Sequence, residues 1–451
     1  MQPSTAPASL CEALMYRIQA RSAKVGVVGL GYVGLPLGLL FSGQRFAVTG
    51  FDIDENKVKT LSNGGTYIYR IPAEQVQAAR RQGFSATSDY SRIGDMDAVI
   101  ICVPTPLTEY REPDLSYVRS TAEAIAPFLR AGQLVILEST TYPGTTEELL
   151  IPILESQNRV GLKVAASGKE SGQVFFTAFS PERENPGSDF DRKDIPKVVG
   201  GCSPRATDLA VALYGTIFRR TVPVSSMRVA EMTKLLENIY RCVNIALVNE
   251  LKLLCLRMGI DIWEVIEAAS TKPFGFQPFY PGPGLGGHCI PLDPFYLSWK
   301  AKEYDFHTKF IELAGEVNTA MPYHVIEAVS RALNQHKKAM NGSRILVLGM
   351  SYKKDIDDLR ESPAIVIIEE LQKTGAQVAY NDPFFPTVGR GRHYKLNMTC
   401  TPLEQVPEFD CVLIVTDHST YDYKKIVSEA KLVVDTRNAT RGMDSPKIVR
   451  C

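Results

Sequence analysis

The chain has 451 residues, of which 45% are hydrophobic and 22% are charged, and its length predicts two or three domains rather than one core. No apolar run is long enough to span a bilayer, which argues against a membrane partner. The 50 basic and 50 acidic side chains balance, so no bulk positive field attracts nucleic acid, although a local basic pocket is compatible with this balance. The nine cysteines form no Cys-x-x-Cys pair and are odd in number, which favours reduced thiols and a cytoplasmic location. The stretch before Lys24 lacks the features of a signal peptide and predicts a frayed tail and a short amphipathic helix.

Residues 24–54 predict a βαβ unit, because KVGVVGLGYVGLPLGLLFSGQRFAVTGFDID reads as a buried strand, a glycine turn, an apolar helix and a second strand. Its Gly-x-Gly-x-x-Gly pattern follows the strand directly and opens the helix, which is the context that this weak pattern needs to indicate dinucleotide binding. The first glycine permits a tight turn, the second lets a pyrophosphate approach the backbone, and the third lets helix and strand pack closely. Free N–H groups at the helix start favour phosphates, so the predicted cofactor-binding residues of this turn are Gly29, Gly31, Tyr32, Val33 and Gly34.

Asp52 ends the second predicted strand eighteen residues after Gly34, where a carboxylate accepts hydrogen bonds from both ribose hydroxyls. An acid at this position repels the 2′-phosphate of NADP, so NAD is the predicted cofactor. Asp54 is a rival two residues later and faces the same side by strand periodicity. The alternative, a glycine turn that binds no nucleotide, fits the complete βαβ context less well.

Two further apolar segments, at 96–106 and 131–146, predict strands that end in Pro and Thr turns, with helices between them. Strands that alternate with helices predict a parallel, doubly wound α/β sheet. Ligands bind outside the carboxyl ends of such strands, so Thr105 in the VPTP turn is expected to border the cofactor.

The pattern changes to helical spacing from residue 204, and residues 228–270 predict a long helix with a break at Gly259. A second α/β domain begins near residue 338, with strands and a helix predicted within 343–383, 410–418 and 431–438. The predicted fold class is therefore α/β, with two doubly wound domains joined by a long central helix and a helical middle domain. The predicted domains are an NAD-binding domain at 22–203, a central helical domain at 204–337 and a C-terminal domain at 338–451.

Residues 282–294, GPGLGGHCIPLDP, predict a loop, because their four glycines and three prolines disfavour helix and strand. A lone cysteine is more often a small buried apolar residue than a nucleophile. This loop is nevertheless expected to expose Cys289, with Asp293 four residues later and a predicted NAD domain in the same chain. A thiolate beside NAD suggests oxidation of an aldehyde through a thiohemiacetal and a thioester. Metal binding by His288 and Cys289 is the competing interpretation, but without a second Cys/His cluster they make a poor zinc site, and no metal is predicted.

The chain resembles the UDP-sugar 6-dehydrogenases from about residue 22 to its C terminus, because it carries their motifs in order: GLGYVGLPL, ESTTYPGTT, FSPERENPG, EMTKLLENIYRCVNIALVNE, PGPGLGGHCIPLDPFYL and SYKKDIDDLRESP. The resemblance implies two Rossmann-like lobes bridged by a dimerising helix, with NAD bound by the first lobe and UDP by the second. It also implies that the C6 alcohol of a UDP-hexose is oxidised to a carboxylate with two NAD, through a cysteine thioester. A homodimer or larger homo-oligomer follows from the resemblance together with the long apolar helix.

The resemblance implies catalytic roles for four residues of the central region. Cys289 matches the nucleophile, and Asp293 matches a carboxylate that positions or activates a water molecule. Lys234 matches the cation that stabilises oxyanions at C6, and Asn238 lies one helical turn further along the same face, a spacing that does not depend on the resemblance. Without that context, a Lys and an Asn four residues apart are usually part of a solvated helix face.

Thr140 and Glu182 match the positions that handle water during thioester hydrolysis, with Glu182 as the base, and Thr140 is also assigned to the cofactor site. Cations of the SYKKDIDDLRES segment suit a diphosphate, although a surface turn of mixed charge is the alternative. The residues implied to bind the substrate are Glu182, Arg183, Lys234, Asn238, Phe279, Tyr280, Gly284, Lys353 and Arg360.

Arg183 and the aromatic, proline-rich run KPFGFQPFYPGPGLGGHC resemble the branch that acts on UDP-N-acetylhexosamines, precursors of surface polysaccharides. A 2-acetamido group needs space and a donor, which Arg183 or an aromatic wall supplies in this interpretation. UDP-N-acetyl-D-glucosamine is favoured, and UDP-N-acetyl-D-mannosamine and UDP-glucose are the alternatives. A β-hydroxyacid-type dehydrogenase is a remoter alternative that would perform one oxidation and need neither Cys289 nor a third domain. A non-enzymatic nucleotide-sensing module is the other rival class, and any turnover excludes it.

Overall fold

The computed structural model describes residues 9–68, 70–108, 110–166, 172–183, 191–287, 290–391 and 394–451. These residues divide into two compact units. The first unit runs to Glu237 and includes Lys302–Tyr304, and the second contains Asn238–Ala301 and Asp305–Cys451. Their boundary lies within the central region that the sequence analysis treated as one helical domain.

The first unit is built on one sheet whose described strands lie in the order β3-β2-β1-β4-β5-β7-β8-β9, with β6 beside β7. Neighbours pair in parallel except β7 and β8, which are antiparallel. The strands are β1 (Lys24–Val28), β2 (Ala47–Phe51), β3 (Phe84–Thr87), β4 (Ala98–Ile101), β5 (Leu134–Leu137), β6 (Lys163–Val164), β7 (Val174–Phe179), β8 (Lys197–Gly201) and β9 (Thr221–Pro223). The helices are α1 (Leu10–Gln19), α2 (Gly34–Gly43), α3 (Glu55–Ser62), α4 (Ala73–Arg81), α5 (Ser116–Ile125), α6 (Ile151–Gln157) and α7 (Pro204–Tyr214).

Both faces of this sheet are buried, as its nearly continuous apolar strands predict. Ile100 of β4 packs into one core, whereas Val99 and Ile101 pack into the other, because successive strand residues face opposite sides. The predicted βαβ unit is confirmed by β1, α2 and β2. Helix α7 and strand β9 also join this sheet, so it continues past residue 203, where the sequence analysis ended the first domain.

The long central helix is also confirmed. Helix α8 spans Met227–Met258, and Gly259 follows it with a positive φ of 70°, a conformation in which glycine avoids the steric cost of a side chain. Helix α9 (Ile262–Ser270) begins after Asp261, whose carboxylate accepts from the backbone N–H of Trp263. Helices α10 (Asp293–Ala301) and α11 (Lys309–Gln335) follow.

The second unit contains a parallel sheet in the order β11-β10-β14-β15-β16 and a separate antiparallel pair, β12 and β13. Its strands are β10 (Arg344–Leu348), β11 (Gln377–Asn381), β12 (Thr387–Arg390), β13 (Lys395–Thr399), β14 (Cys411–Ile414), β15 (Val433–Asp435) and β16 (Ile448–Arg450), and its remaining helices are α12 (Pro363–Lys373) and α13 (Tyr423–Glu429). The predicted class, two Rossmann-like α/β folds with a helical central region, is confirmed. Within the described ranges, no helix has both the length and the apolar character needed to cross a bilayer.

Candidate active site

Two of the three glycines in the turn after β1 are required by close contacts of the chain itself. Gly29 has a φ of 90°, and a Cβ atom built on it lies 2.6 Å from the carbonyl oxygen of Cys102. A Cβ atom on Gly34 would lie 1.9 Å from the carbonyl oxygen of Gly29, so only glycine lets α2 start this close to the turn. Gly31 has no heavy atom within 4 Å of its built Cβ position, which leaves its backbone open to a ligand. This turn therefore fits the pyrophosphate of a dinucleotide.

Asp52 follows β2 and is buried beside the glycine turn. Its Oδ2 accepts from the backbone N–H of Leu30 at 2.9 Å and lies 3.3 Å from Nζ of Lys57. Its Oδ1 accepts from the N–H of Asp54 at 2.9 Å. The carboxylate of Asp54 instead caps α3 and accepts from the N–H of Asn56 at 2.9 Å. The geometry supports Asp52 over Asp54 as the ribose ligand, and this assignment stays a prediction.

Four other predicted site residues of the first unit follow the carboxyl ends of three parallel strands. Thr105 is buried after β4, Thr140 is half-buried after β5, and Glu182 and Arg183 follow β7. Strand β1 pairs with β2 on one side and β4 on the other, so the strand order reverses between them. Ligands of doubly wound sheets bind at such a reversal, and these side chains lie at the matching edge.

Lys234 and Glu182 are brought together within the first unit, because the ammonium of Lys234 donates to the backbone carbonyl of Glu182. Lys234 is buried in α8, which suits a cation that acts on a bound substrate rather than on solvent. Arg183 forms a two-pronged ion pair with Glu237, at 3.1 and 2.5 Å, and donates to the carbonyl of Pro196 at 2.6 Å. The guanidinium that was predicted to meet an acetamido group therefore already binds acceptors of the chain itself.

Asn238 and Asp293 are brought together within the second unit. Both side chains are buried, and Nδ2 of Asn238 donates to the carboxylate of Asp293 at the start of α10. The glycine-rich loop precedes Asp293 in the chain. In this loop Gly284 has a φ of 138°, and the N–H of Gly287 donates to the carbonyl of Arg360 at 2.9 Å. His288 and Cys289 themselves lie outside the described residues.

The other predicted substrate residues belong to the second unit. Lys353 is half-buried, and the guanidinium of Arg360 pairs with Asp358 at 2.6 Å. Phe279 meets the ring of Tyr240 edge-on, with 5.6 Å between centroids. Tyr280 stacks on Trp263 with 5.7 Å between centroids, so these two rings of the aromatic run contact α8 and α9 of their own unit. Their contacts with substrate stay a prediction.

The second unit has a similar glycine turn, but the carboxylate that corresponds to Asp52 has a different partner. Gly349 follows β10 with a φ of 89°, and Asp382 after β11 accepts from the N–H of Met350 at 2.6 Å, as Asp52 does from Leu30. Asp382 also meets Nε2 of the buried His418 at 3.1 Å. The carboxylate that corresponds to Asp52 thus lies beside a buried histidine, where Asp52 lies beside Lys57.

Four buried polar residues near the first sheet were missed by the sequence analysis. Glu138 pairs with Lys197 and Tyr214, and Glu231 of α8 accepts from the N–H groups of Gly144 and Thr146. Burial raises the pKa of Glu231 to about 7 and raises that of Glu138 as well, although Lys197 opposes the second shift. A charged residue directly adjoining an apolar strand, as in LVILE and PKVVGG, is the signal that points to Glu138 and Lys197.

Family models match both units. The NAD binding domain of the UDP-glucose/GDP-mannose dehydrogenase family matches residues 23–218. The central domain of that family matches residues 228–320, and its UDP binding domain matches residues 346–442. The glycine turn and Asp52 therefore lie in the part of the chain that matches the NAD binding domain of the family.

Individual relatives agree with these matches. The chain is 36% identical over 403 residues to a UDP-N-acetyl-D-glucosamine 6-dehydrogenase from Pseudomonas aeruginosa, covering 89% of this chain and 92% of the relative. It is 35% identical over 423 residues to an NDP-N-acetyl-D-galactosaminuronic acid dehydrogenase from Ralstonia nicotianae, covering 92% and 95% of the two chains. The structure of a UDP-D-ManNAc dehydrogenase from Pyrococcus horikoshii matches with a TM-score of 0.83 and 31% identity, covering 95% of this chain and 98% of that one.

These matches confirm the resemblance drawn from the motifs, and they agree with a glycine turn that fits a dinucleotide. NAD is accordingly the cofactor of the first unit. The chain belongs to the UDP-glucose/GDP-mannose dehydrogenase family.

Proposed function

We propose that this protein oxidises the C6 alcohol of a UDP-N-acetylhexosamine to the carboxylate, with UDP-N-acetyl-D-glucosamine as the favoured substrate. The observation that carries the proposal is the buried pair of Asn238 in α8 and Asp293, where α10 begins at the end of the glycine-rich loop. A carboxylate held this way four residues after Cys289 suits the positioning of a water molecule for hydrolysis. The P. aeruginosa relative named for UDP-N-acetyl-D-glucosamine and those named for other N-acetylated sugars support the substrate class.

The reaction removes two hydrides from C6, and bound NAD supplies the hydride acceptor for each. Between the two oxidations, the Cys289 thiolate adds to the aldehyde carbon, so that the aldehyde is held as a thiohemiacetal and does not escape. Loss of the second hydride leaves a thioester on the cysteine sulfur. Water then attacks the thioester carbonyl, the carbon–sulfur bond breaks, and the uronate and the thiol are released.

Lys234 and Asn238 would act on oxygen at C6. A buried ammonium stabilises an alkoxide or a tetrahedral oxyanion strongly, because water does not compete for it. The same charge lowers the pKa of a neighbouring thiol and favours its thiolate. Glu182 and Thr140 would handle the hydrolytic water, with Glu182 accepting its proton.

Substrate choice among N-acetylated sugars depends on contacts at one carbon. We propose that UDP-N-acetyl-D-glucosamine is used at least about tenfold more efficiently than UDP-glucose, which corresponds to about 1.4 kcal/mol of differential transition-state binding. UDP-N-acetyl-D-mannosamine is the second candidate, because the P. horikoshii relative carries that name. We also propose a cytoplasmic location, a homodimer or larger homo-oligomer, and a product that is used for surface polysaccharides.

The test is NADH production with a panel of UDP-hexoses, combined with intact-protein mass spectrometry. Wild-type protein should form two NADH per sugar with little free aldehyde. Cys289→Ala should lose complete turnover, and Cys289→Ser should accumulate an ester, since an alkoxide leaves less readily than a thiolate. Full turnover by Cys289→Ala at the wild-type rate would exclude the covalent route, and one NADH per substrate would indicate a single-step dehydrogenase.

A further inference from the structure

We propose that Lys197 is a positioning residue for the hydrolytic half of this reaction, because it holds the segment that carries Glu182. The inference rests on the proposed function. Lys197 is the first residue of β8, and its side chain is only 4% exposed. A buried lysine is costly unless its charge is compensated, so its contacts indicate what it does.

The Lys197 ammonium reaches the root of the β7–β8 loop. Nζ donates to the carbonyl of Pro181 at 3.2 Å and lies 4.0 Å from Oε2 of Glu182. The next carbonyl along the chain, that of Glu182, accepts from Lys234. Two buried ammonium groups therefore hold successive backbone carbonyls of the segment whose glutamate is the proposed base.

Two further contacts fix the same root. Ser180 donates its hydroxyl to the carbonyl of Val198 at 2.7 Å, and Arg183 donates to the carbonyl of Pro196 at 2.6 Å. These bonds cross from the end of β7 to the start of β8, which are antiparallel. The backbone around Glu182 is thus held on both sides, and Lys197 also approaches the Glu182 carboxylate.

Glu138 explains how the lysine is kept inside. Its side chain is fully buried, its Oε1 lies 3.1 Å from Nζ of Lys197, and the hydroxyl of Tyr214 donates to the same oxygen. The rings of Tyr214 and Phe218 lie 5.0 and 5.4 Å from Nζ, with the cation over their faces. Glu138 thus pairs with the Lys197 ammonium inside the sheet. The carbonyl of Pro181 and the carboxylate of Glu182 lie near the same ammonium at the sheet edge.

This arrangement assigns Lys197 a role in one step only. During hydrolysis, Glu182 takes a proton from water, the water oxygen bonds to the thioester carbon, and the sulfur leaves and is protonated. A base must stay within hydrogen-bond reach of its water, and Lys197 holds the backbone next to that base and lies near its carboxylate. In the proposed mechanism Glu182 accepts no proton during hydride removal, so the hydride steps should depend on Lys197 much less than hydrolysis does.

The test compares Lys197→Met/Glu138→Gln with wild type, Lys197→Arg, Glu182→Gln and Lys163→Met, the last as an exposed control. Removing both charges avoids leaving Glu138 buried without its counter-charge, which would destabilise the single variant. Rapid mixing with NAD and UDP-N-acetyl-D-glucosamine would resolve the hydride steps from later turnover. Intact-protein mass would report any acyl-enzyme.

The double variant should keep a burst of two NADH per site. It should hydrolyse the acyl-enzyme at least about tenfold more slowly than wild type, and Glu182→Gln should show the same loss. Acyl-enzyme should accumulate in both, and Lys197→Arg should restore most of the hydrolysis. Hydrolysis at the wild-type rate in the double variant would overturn the inference, as would an equal loss in burst and hydrolysis without rescue by arginine. Absence of NADH with wild type would instead overturn the proposed function, and this inference with it.

Discussion

At the scale of single residues, three buried carboxylates of the first unit have distinct environments. Asp52 accepts from two backbone N–H groups and lies beside a lysine. Glu138 is paired with the buried Lys197. Glu231 accepts from the backbone N–H groups of Gly144 and Thr146, but the effect of burial is larger and raises its pKa to about 7.

Replacing Asp52 by Asn should narrow the preference for NAD over NADP by about tenfold, because the charge that repels a 2′-phosphate is removed while an oxygen acceptor for the Leu30 N–H remains. The measurement is the ratio of kcat/KM for the two cofactors. Asp54→Asn is the control: it should leave the ratio unchanged and keep the cap of α3, because asparagine caps a helix about as well as aspartate. Unchanged selectivity in Asp52→Asn would remove Asp52 from the ribose site.

Glu231 should make the protein less stable as pH rises. Its pKa in the fold, about 7, exceeds the ordinary 4.5, so the protonated form contributes stability that is fully present below pH 4.5 and is lost as pH rises through about 7. The shift corresponds to about 3 kcal/mol. Glu231→Gln should therefore reduce the fall in Tm between about pH 5 and about pH 8, whereas the exposed Glu74→Gln should not. An identical pH profile in wild type and Glu231→Gln would contradict this prediction.

At the scale of elements, the turn between β1 and α2 contains one glycine that is needed for packing and another that is explained by cofactor binding. Gly34 is needed for packing, since a side chain there would collide with the carbonyl of Gly29. Gly31 is not constrained by any neighbour within 4 Å of its built Cβ, so its glycine is explained by close approach of the cofactor. The two positions should thus respond differently to the same methyl group.

Gly31→Ala should fold with wild-type Tm but bind NAD at least about tenfold more weakly, whereas Gly34→Ala should lower the Tm even without NAD. Gly43→Ala is the control, because Gly43 ends the same helix and its built Cβ is equally open. Calorimetric titration with NAD and thermal unfolding of the apo protein measure the two effects. Wild-type affinity in Gly31→Ala would place the pyrophosphate elsewhere.

At the scale of the whole molecule, α8 carries apolar side chains that one chain leaves exposed. Leu247 and Leu254 are 53% and 51% exposed, and Leu251 between them is also exposed. Their spacing of four and three residues places them on one side of the helix. Exposed leucines on a shared stripe are typical of a contact between subunits, which supports the proposed homodimer.

Leu251→Glu should shift the protein from dimer to monomer, because an unpaired carboxylate would be buried in the contact. Sedimentation velocity over a range of protein concentrations measures this shift. Arg241→Glu, an exposed position of the same helix about a third of a turn around the axis from Leu247, should leave the sedimentation coefficient unchanged. A monomeric wild type, or a Leu251→Glu variant that stays dimeric, would contradict the use of this stripe.

The fold class and the cofactor could both be predicted from the order of residues along the chain. The βαβ unit, the glycine turn, the long helix with its break at Gly259 and the second α/β domain depend on local periodicity and on residues with special backbone freedom, which are visible in the chain order. The motif order also indicated the family before any contact was known.

The partners of the charged side chains, by contrast, depend on the tertiary structure. Arg183, predicted as a donor to substrate, is bound by Glu237, and Asp54, predicted as a rival to Asp52, caps a helix. Lys197 and Glu138 are 59 residues apart in the chain and meet because β7, between their strands, brings β5 and β8 into one sheet. Strand pairing sets such long-range contacts and the burial that makes them matter, and neither is encoded in the spacing of residues along the chain.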